Sequence, residues 1–194
     1  LGAVVSATDV RPAAKEQVQS LGASFVAVED EEFKAAETAG GYAKEMSAEY
    51  RAKQAALIAE TVKKQDIVIC TALIPGRKAP VLMDEAMVRS MKPGSVIVDL
   101  AAERGGNCAL TRPGEVIEDQ GVTIVGYRNI PGRIATDASA LYARNLVAFL
   151  TPLVDKDSKA LKVDGSDEIV AATRLTSGGR AVHPNFGGKA EQAA

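Results

Sequence analysis

The sequence is poor in the features that mark several protein classes. Its 194 residues hold two cysteines and one histidine. Cys70 and Cys108 stand far apart, without a C-x-x-C and without a histidine at ligand spacing, so neither a zinc site nor a disulfide framework is expected and a reducing compartment is. Neither sign of charge dominates: Lys plus Arg number 23 against 25 Asp plus Glu, a net charge of -2. That leaves no basic footprint for nucleic acid or anionic lipid. Long apolar runs are missing too. The longest, Ile67 to Ile74 with Thr71 inside it, falls far short of the roughly 20 residues a membrane helix needs. The opening LGAVVSATDVRP has neither a charged n-region nor a cleavage site, and it starts at Leu1 where an initiator Met would stand, so a fragment is expected. No internal repeat is evident. What remains, 46% hydrophobic and 25% charged residues, is the composition of an ordered globular chain of one or two domains.

Short β-branched runs recur at the spacing of β-α units: Val4 to Thr8, Ser24 to Val28, Ile67 to Thr71, Val96 to Leu100 and Thr123 to Val125. Helical patterns separate most of them. Pro12 suits a helix N1 position, and Gly22 suits the residue just past the end of the same helix. Between Ala48 and Lys64, Ala55, Ile58, Ala59 and Val62 fall on one stripe, and a third helix is expected around Met83 to Met91. Because IVIC, VIVDL and TIVG are nearly continuous apolar runs, we expect these strands to be buried on both faces, in a parallel sheet covered by helices. After Tyr127 the pattern changes. Thr136 or Asp137 would cap a longer helix with Tyr142, Leu146, Phe149, Leu150 and Leu153 on one stripe, and a boundary is expected near Gly132 to Ala135. The tail from Thr151 has one short helical pattern and a Gly178-Gly179 turn. That is too little for a core of its own, so it should pack on something outside this chain.

Asp9 ends the first readable strand. In a dinucleotide-binding fold an acidic residue at the end of the second strand takes the adenosine ribose hydroxyls; the same residue, just before Pro12, is also a good helix cap. Arg11 would pack on adenine or balance the pyrophosphate, or be a solvated helix-start residue. An acid at the ribose position repels a 2′-phosphate and so favours NAD(H) over NADP(H), a preference that Arg11 weakens. Small residues after Cys70, in Thr71 to Gly76, either admit a flat nucleotide to the sheet's carboxyl edge or form a plain loop. Asp99 and Gly105-Gly106 would make a turn at that same edge, organising the site more than performing chemistry. Gly40, Gly41 and Tyr42 lie in a long insertion that serves as a mobile lid, closed by Tyr42 and Met46, or as a loop with no role. Gln54, on the following helix, reads alone as a surface residue. His183 has no Ser or Cys nucleophile beside it by pattern, and both cysteines read as buried thiols.

Taken in order, ATDVRP (Ala7 to Pro12), GGYAKEMS (Gly40 to Ser47), TALIPGRKAP (Thr71 to Pro80), DLAAERGGN (Asp99 to Asn107) and RIATDASALYARN (Arg133 to Asn145) resemble the alanine dehydrogenase and nicotinamide nucleotide transhydrogenase family. The resemblance covers almost the whole chain. Within the family, TALIPGR, GGYAKEMS and RIATDASALY are similar to the NAD(H)-binding components of proton-translocating transhydrogenases, with an NAD-dependent alanine dehydrogenase as the second reading and a non-catalytic NAD-sensing module as the third. The resemblance implies an α/β fold: residues 1–133 as a Rossmann-like, N-terminally truncated parallel-sheet domain lacking its first β-α unit, and 134–194 as a C-terminal segment returning to a second α/β domain. It also implies hydride transfer between NAD(H) here and NADP(H) on a partner component, coupled to proton translocation by a membrane-spanning component. A homodimer at the cytoplasmic side of the inner membrane would follow, with no nucleic-acid partner. Carried over by motif, Asp9, Val10 and Arg11 would bind the adenosine end, Gly41, Gln54 and Leu73 would contact the nucleotide, and Tyr42 would belong to the mobile loop. The family's G-x-G-x-x-G turn and the polar groups that orient its nicotinamide are not in this sequence, so no catalytic residue is named.

Overall fold

The computed structural model describes residues 2–36, 46–74 and 76–186. The chain divides into two compact units, Leu1–Ile130 and Pro131–Ala194.

The first unit is built on two parallel pieces of sheet. β1 (Ser6–Ala7) pairs in parallel with β2 (Ser24–Phe25), and α1 (Pro12–Ser20) makes the crossover between them. Pro12 sits at the start of α1, where its missing N–H costs nothing, and Gly22 takes the left-handed conformation (φ 81°) just beyond its end. A single turn, α2 (Glu31–Lys34), is capped by Asp30, whose carboxylate accepts from the Phe33 amide. α3 (Ala48–Val62) begins at Ser47, whose hydroxyl accepts from the Tyr50 amide.

The larger sheet has the order β3-β4-β6-β5. β3 (Ile67–Cys70), β4 (Val96–Asp99) and β6 (Val122–Val125) run parallel, in a register that sets Cys70 beside Asp99. The short α4 (Glu85–Arg89), capped by Asp84, lies between β3 and β4. β5 (Val116–Asp119) pairs antiparallel with β6 through Gln120 and Gly121, both at positive φ (48° and 81°), the backbone of a two-residue hairpin turn whose twist matches its strands.

α3 serves both pieces. Near its start, Tyr50 packs with Phe33, Ala36 and Met46 beneath the β2 segment. Further along, Ile58, Ala59 and Val62 pack on the core of the larger sheet, which contains Met83, Met87, Met91, Ile97 and Ile124. Ala55, expected on the buried stripe, is exposed instead. β3 also departs from expectation. Its apolar run is not covered on both faces: Ile67 and Ile69 are each 62% exposed, because β3 is the outer strand of its sheet and no described helix lies over that face.

After β6 comes a single turn, α5 (Ile130–Arg133). In the second unit α6 (Ala135–Leu150) starts from Ile134 with no side-chain cap, so neither Thr136 nor Asp137 caps it. None of its residues is buried. Leu153, in the turn that follows, is buried, while Tyr142, Leu146 and Leu150 of the expected stripe face solvent. α7 (Glu168–Thr173), capped by Asp167, precedes the hairpin of β7 (Thr176–Ser177) and β8 (Arg180–Ala181), which turns at Gly178 and Gly179.

Candidate functional site

Parallel strands bring their carboxyl ends to one edge, and in open α/β sheets ligands bind there. Asp9, Thr71 and Asp99 all stand at or just beyond such ends.

Asp9 is not the cap of α1; that position belongs to Arg11, which makes no side-chain capping bond. The Asp9 carboxylate folds onto Arg11. Oδ1 accepts from the Arg11 amide at 2.8 Å and from Nε at 3.0 Å, and Oδ2 accepts from Nη2 at 2.8 Å. Burial works to raise the Asp9 pKa, but the hydrogen bonds and charge of Arg11 outweigh it, so the group lies below the ordinary 3.8. It is ionised at neutral pH, with its side chain still 30% exposed. Val10 beside it is half-exposed.

Gln54 is no bystander. Its Oε1 accepts from the Val28 amide at 2.9 Å and its Nε2 donates to the Thr8 hydroxyl at 3.0 Å. One carboxamide thereby ties α3 to the chain just past both β1 and β2, next to Asp9. Leu73, just beyond the end of β3, is exposed. Met46 is buried in the Tyr50 cluster, which removes its expected part in a closing lid. Gly41 and Tyr42 lie outside the described residues.

Beyond β4 the backbone wraps around Asp99, which is fully buried. Its Oδ1 accepts from the Ala101 amide, and its Oδ2 accepts from the amides of Asn107 and Cys108 and from the Thr111 hydroxyl. Gly106 is required there: at φ 84°, a Cβ would meet Asp99 Oδ2 at 2.8 Å and Thr111 Cβ at 3.0 Å. Asn107, also fully buried, extends the network to the chain after β3. Ala102, Glu103, Gly105, Pro113 and Arg128 line a shallow cleft of about 360 Å³ at this edge, where Glu103 accepts from the Asn129 amide. A roomier groove of about 580 Å³, between Val4, Val18, Leu21 and their neighbours, is nearly all apolar and holds no chemistry.

Other reactive groups are held inert. Cys70 is buried; burial first, then Asp99 and Cys108, push its thiol up to about 12. Burial also raises Cys108, against the hydrogen bonds of Leu110 and Thr111. His183 lies against the Ala172 carbonyl through Nε2 (3.1 Å) and accepts from the Asn185 amide at Nδ1 (3.2 Å), so Nε2 carries the proton and the ring pins the second unit's tail. Among the described residues no cluster could hold a metal ion.

Sequence reasoning missed two parts of this edge. The bridging role of Gln54 becomes visible only once β1, β2 and α3 meet. Asn107 follows a Gly-Gly pair that the sequence does show, but the pattern signals a turn and not the partners of its side chain.

Comparison with known proteins places this architecture. Residues 1–184 match the family described as "Alanine dehydrogenase/PNT, C-terminal domain". The chain is 58% identical over 189 residues to the first of the separately encoded pieces of NAD(P) transhydrogenase subunit alpha in Rhodospirillum rubrum, covering 97% of this chain and 49% of that protein. To NAD(P) transhydrogenase subunit alpha of Haemophilus influenzae it is 45% identical, across 95% of this chain and 36% of that one. Alanine dehydrogenase 1 of Staphylococcus aureus shares 38% over 103 residues, 51% of this chain and 28% of that protein. Among solved structures, transhydrogenase from Sinorhizobium meliloti superposes with a TM-score of 0.75 at 57% identity, covering 93% of this chain and 46% of that one. An L-alanine dehydrogenase superposes at 0.67 and 25% identity, over 95% of this chain and 45% of that one. The chain spans about half the length, or less, of the curated relatives it matches.

Proposed function

Since this chain belongs to the alanine dehydrogenase/PNT family, we propose that it is the NAD(H)-binding part of a proton-translocating transhydrogenase, holding the nucleotide whose hydride passes to or from NADP(H) on a partner component. The observation that carries the reading is Asp9. It is an ionised carboxylate at the carboxyl end of a parallel strand, with three acceptor positions taken by Arg11 and one left on Oδ2. That fits a ribose hydroxyl and repels a 2′-phosphate, which selects NAD(H) over NADP(H). A nicotinamide ring supplies the hydride when bound. The chain's own residues bind and orient: Asp9, Val10 and Arg11 at the adenosine end, Gln54 holding that end's backbone in place, Leu73 beside the other half of the dinucleotide, and Gly41 and Tyr42 in the connecting segment between α2 and α3.

The domain reading rests on surfaces. The open flank of β3, with Ile67 and Ile69 in solvent, suits one further parallel strand and a covering helix, as in a Rossmann-like domain (1–133) completed by a first β-α unit. The uncovered stripe of α6 suits a C-terminal segment (134–194) that returns to another α/β domain. Among the described residues no helix is long and apolar enough to cross a membrane, so proton movement belongs to a membrane-spanning partner on whose cytoplasmic side this part docks, as a homodimer.

Identity favours this reading over alanine dehydrogenase: the transhydrogenase relatives match almost the whole chain and the alanine dehydrogenase relative about half. The test uses the intact protein with and without an NADP(H)-binding partner. NADH and NADP+ should give NAD+ and NADPH only with the partner present, and alanine should yield no NADH. Alanine-dependent NADH formation by the protein alone would reject the reading in favour of alanine dehydrogenase.

A further inference from the structure

We propose that Asn107 is a positioning residue for the nucleotide, its carboxamide setting the Thr71–Leu73 backbone against the half of the dinucleotide that carries the nicotinamide. The proposal rests on the NAD(H) reading above and adds to it a residue that touches no ligand.

The geometry is that of a substitute strand. The β3–β4 ladder reaches the Cys70 carbonyl, which accepts from the Leu100 amide at 2.9 Å. One step further β4 has turned away around Asp99, and Ala72 would lose its neighbour. Asn107 takes that place. Its Oδ1 accepts from the Ala72 amide at 3.0 Å and its Nδ2 donates to the Ala72 carbonyl at 2.9 Å, so one side chain meets both backbone groups of one residue. The second Nδ2 hydrogen reaches the Pro80 carbonyl at 2.7 Å, which holds the returning chain as well. Only a carboxamide offers two donors and an acceptor here; a carboxylate of the same size would face the Ala72 and Pro80 carbonyls with no hydrogen to give.

Asn107 is itself immobilised. Its amide donates to Asp99 Oδ2 at 2.8 Å, and its carbonyl accepts from the amides of Leu82 (2.7 Å) and Met83 (3.0 Å). With the side chain fully buried, the position of Ala72 is fixed through two layers of hydrogen bonds to a carboxylate on β4. Thr71 and Leu73, on either side, stay exposed, and the Leu73 amide has no partner among the described residues. A segment held at one residue and left open at the next is what close approach of a flat ring requires. In a doubly wound sheet the two mononucleotide halves lie over different strands: Asp9 belongs to the β1 side and Ala72 to the β3 side, so loosening Ala72 should be felt by one half only.

The test compares two ligands in the intact protein. NADH spans both halves, and 5′-AMP occupies the adenosine half alone. In Asn107→Ala the dissociation constant for NADH, read by calorimetry, should rise about tenfold or more, while that for 5′-AMP stays within about twofold. If both affinities fell by the same factor, the residue would be a general structural support, and if neither fell, the backbone it holds would not matter to binding; either result overturns the proposal. Asn107→Ser keeps one donor in place and is read for the same two affinities, with the same split expected, so a folding failure of the alanine variant leaves the comparison intact. An unsubstituted protein that bound neither ligand would overturn the NAD(H) reading itself, which is a different failure.

Discussion

Asp9 divides its two oxygens unequally, and the division makes a measurable claim. Oδ1 accepts twice from Arg11 and Oδ2 once, so only Oδ2 has an acceptor direction left for a ligand. Asp9→Asn removes the charge and turns either an oxygen or an amide hydrogen pair toward Nη2. NADH binding should weaken by about 1 to 2 kcal/mol, the worth of one charge-assisted hydrogen bond, while melting changes little because partly exposed ion pairs contribute little. Equal affinity in calorimetry would leave Asp9 with a turn-shaping role alone. Cys70 makes a claim of a different kind. Its thiol ionises near 9.0 when unfolded and is pushed up to about 12 when folded, so between these values the unfolded chain releases a proton that the folded chain keeps. The stability this group contributes is complete below pH 9 and is lost as pH rises toward 12. Denaturant midpoints should therefore fall over that window, and the fall should be shallower in Cys70→Ala; an identical alkaline limb in the two proteins would remove Cys70 as its cause. For the same reason neither thiol should react with an alkylating reagent until the chain unfolds.

At the scale of the element, the wrap of chain around Asp99 depends on a backbone that only glycine adopts easily. Gly106→Ala combines a left-handed φ of 84° with a Cβ at 2.8 Å from a buried carboxylate oxygen, and should lower stability by about 1 to 3 kcal/mol. The alanine equivalent at Gly178, with φ 54° and nothing within 4 Å of the added carbon, should cost only the backbone strain; equal losses at the two positions would show that packing at Asp99 is not tight. The parallel strands and α1 were legible in the sequence because β-branched runs, Pro12 and Gly22 act locally. β5 was not, since VIED carries alternating charge and its turn, Gln120-Gly121, lacks the Asn or Asp that usually announces a hairpin. The caps suggested for α6 failed because Ser, Thr and Asp near a helix start compete with whatever backbone geometry the preceding turn imposes. Asp9 was legible as a strand-terminal acid, whereas the partners that separate its ribose role from its capping role are set by χ angles and by Arg11. Gln54 and Asn107 illustrate the general limit: a carboxamide takes its meaning from backbone groups tens of residues away.

For the molecule as a whole, the two units differ in how much they bury. The first encloses a continuous core under β3, β4 and β6, while in the second Leu153 and Val170 are the buried apolar side chains among the described residues. Hydrogen exchange on this chain alone should follow that contrast. The amides of β4 and β6 should exchange only with global unfolding and those of α6 orders of magnitude faster; similar protection in both would mean that α6 is held by contacts of its own. The outer flank of β3 has a practical consequence as well. An unpaired strand that shows Ile67 and Ile69 to water is a template for another copy of itself, so the chain expressed by itself should self-associate with rising concentration, strand against strand, and scatter light well before it loses secondary structure. Ile69→Lys places a charge on that flank and should keep the protein dispersed at concentrations where the unsubstituted chain precipitates.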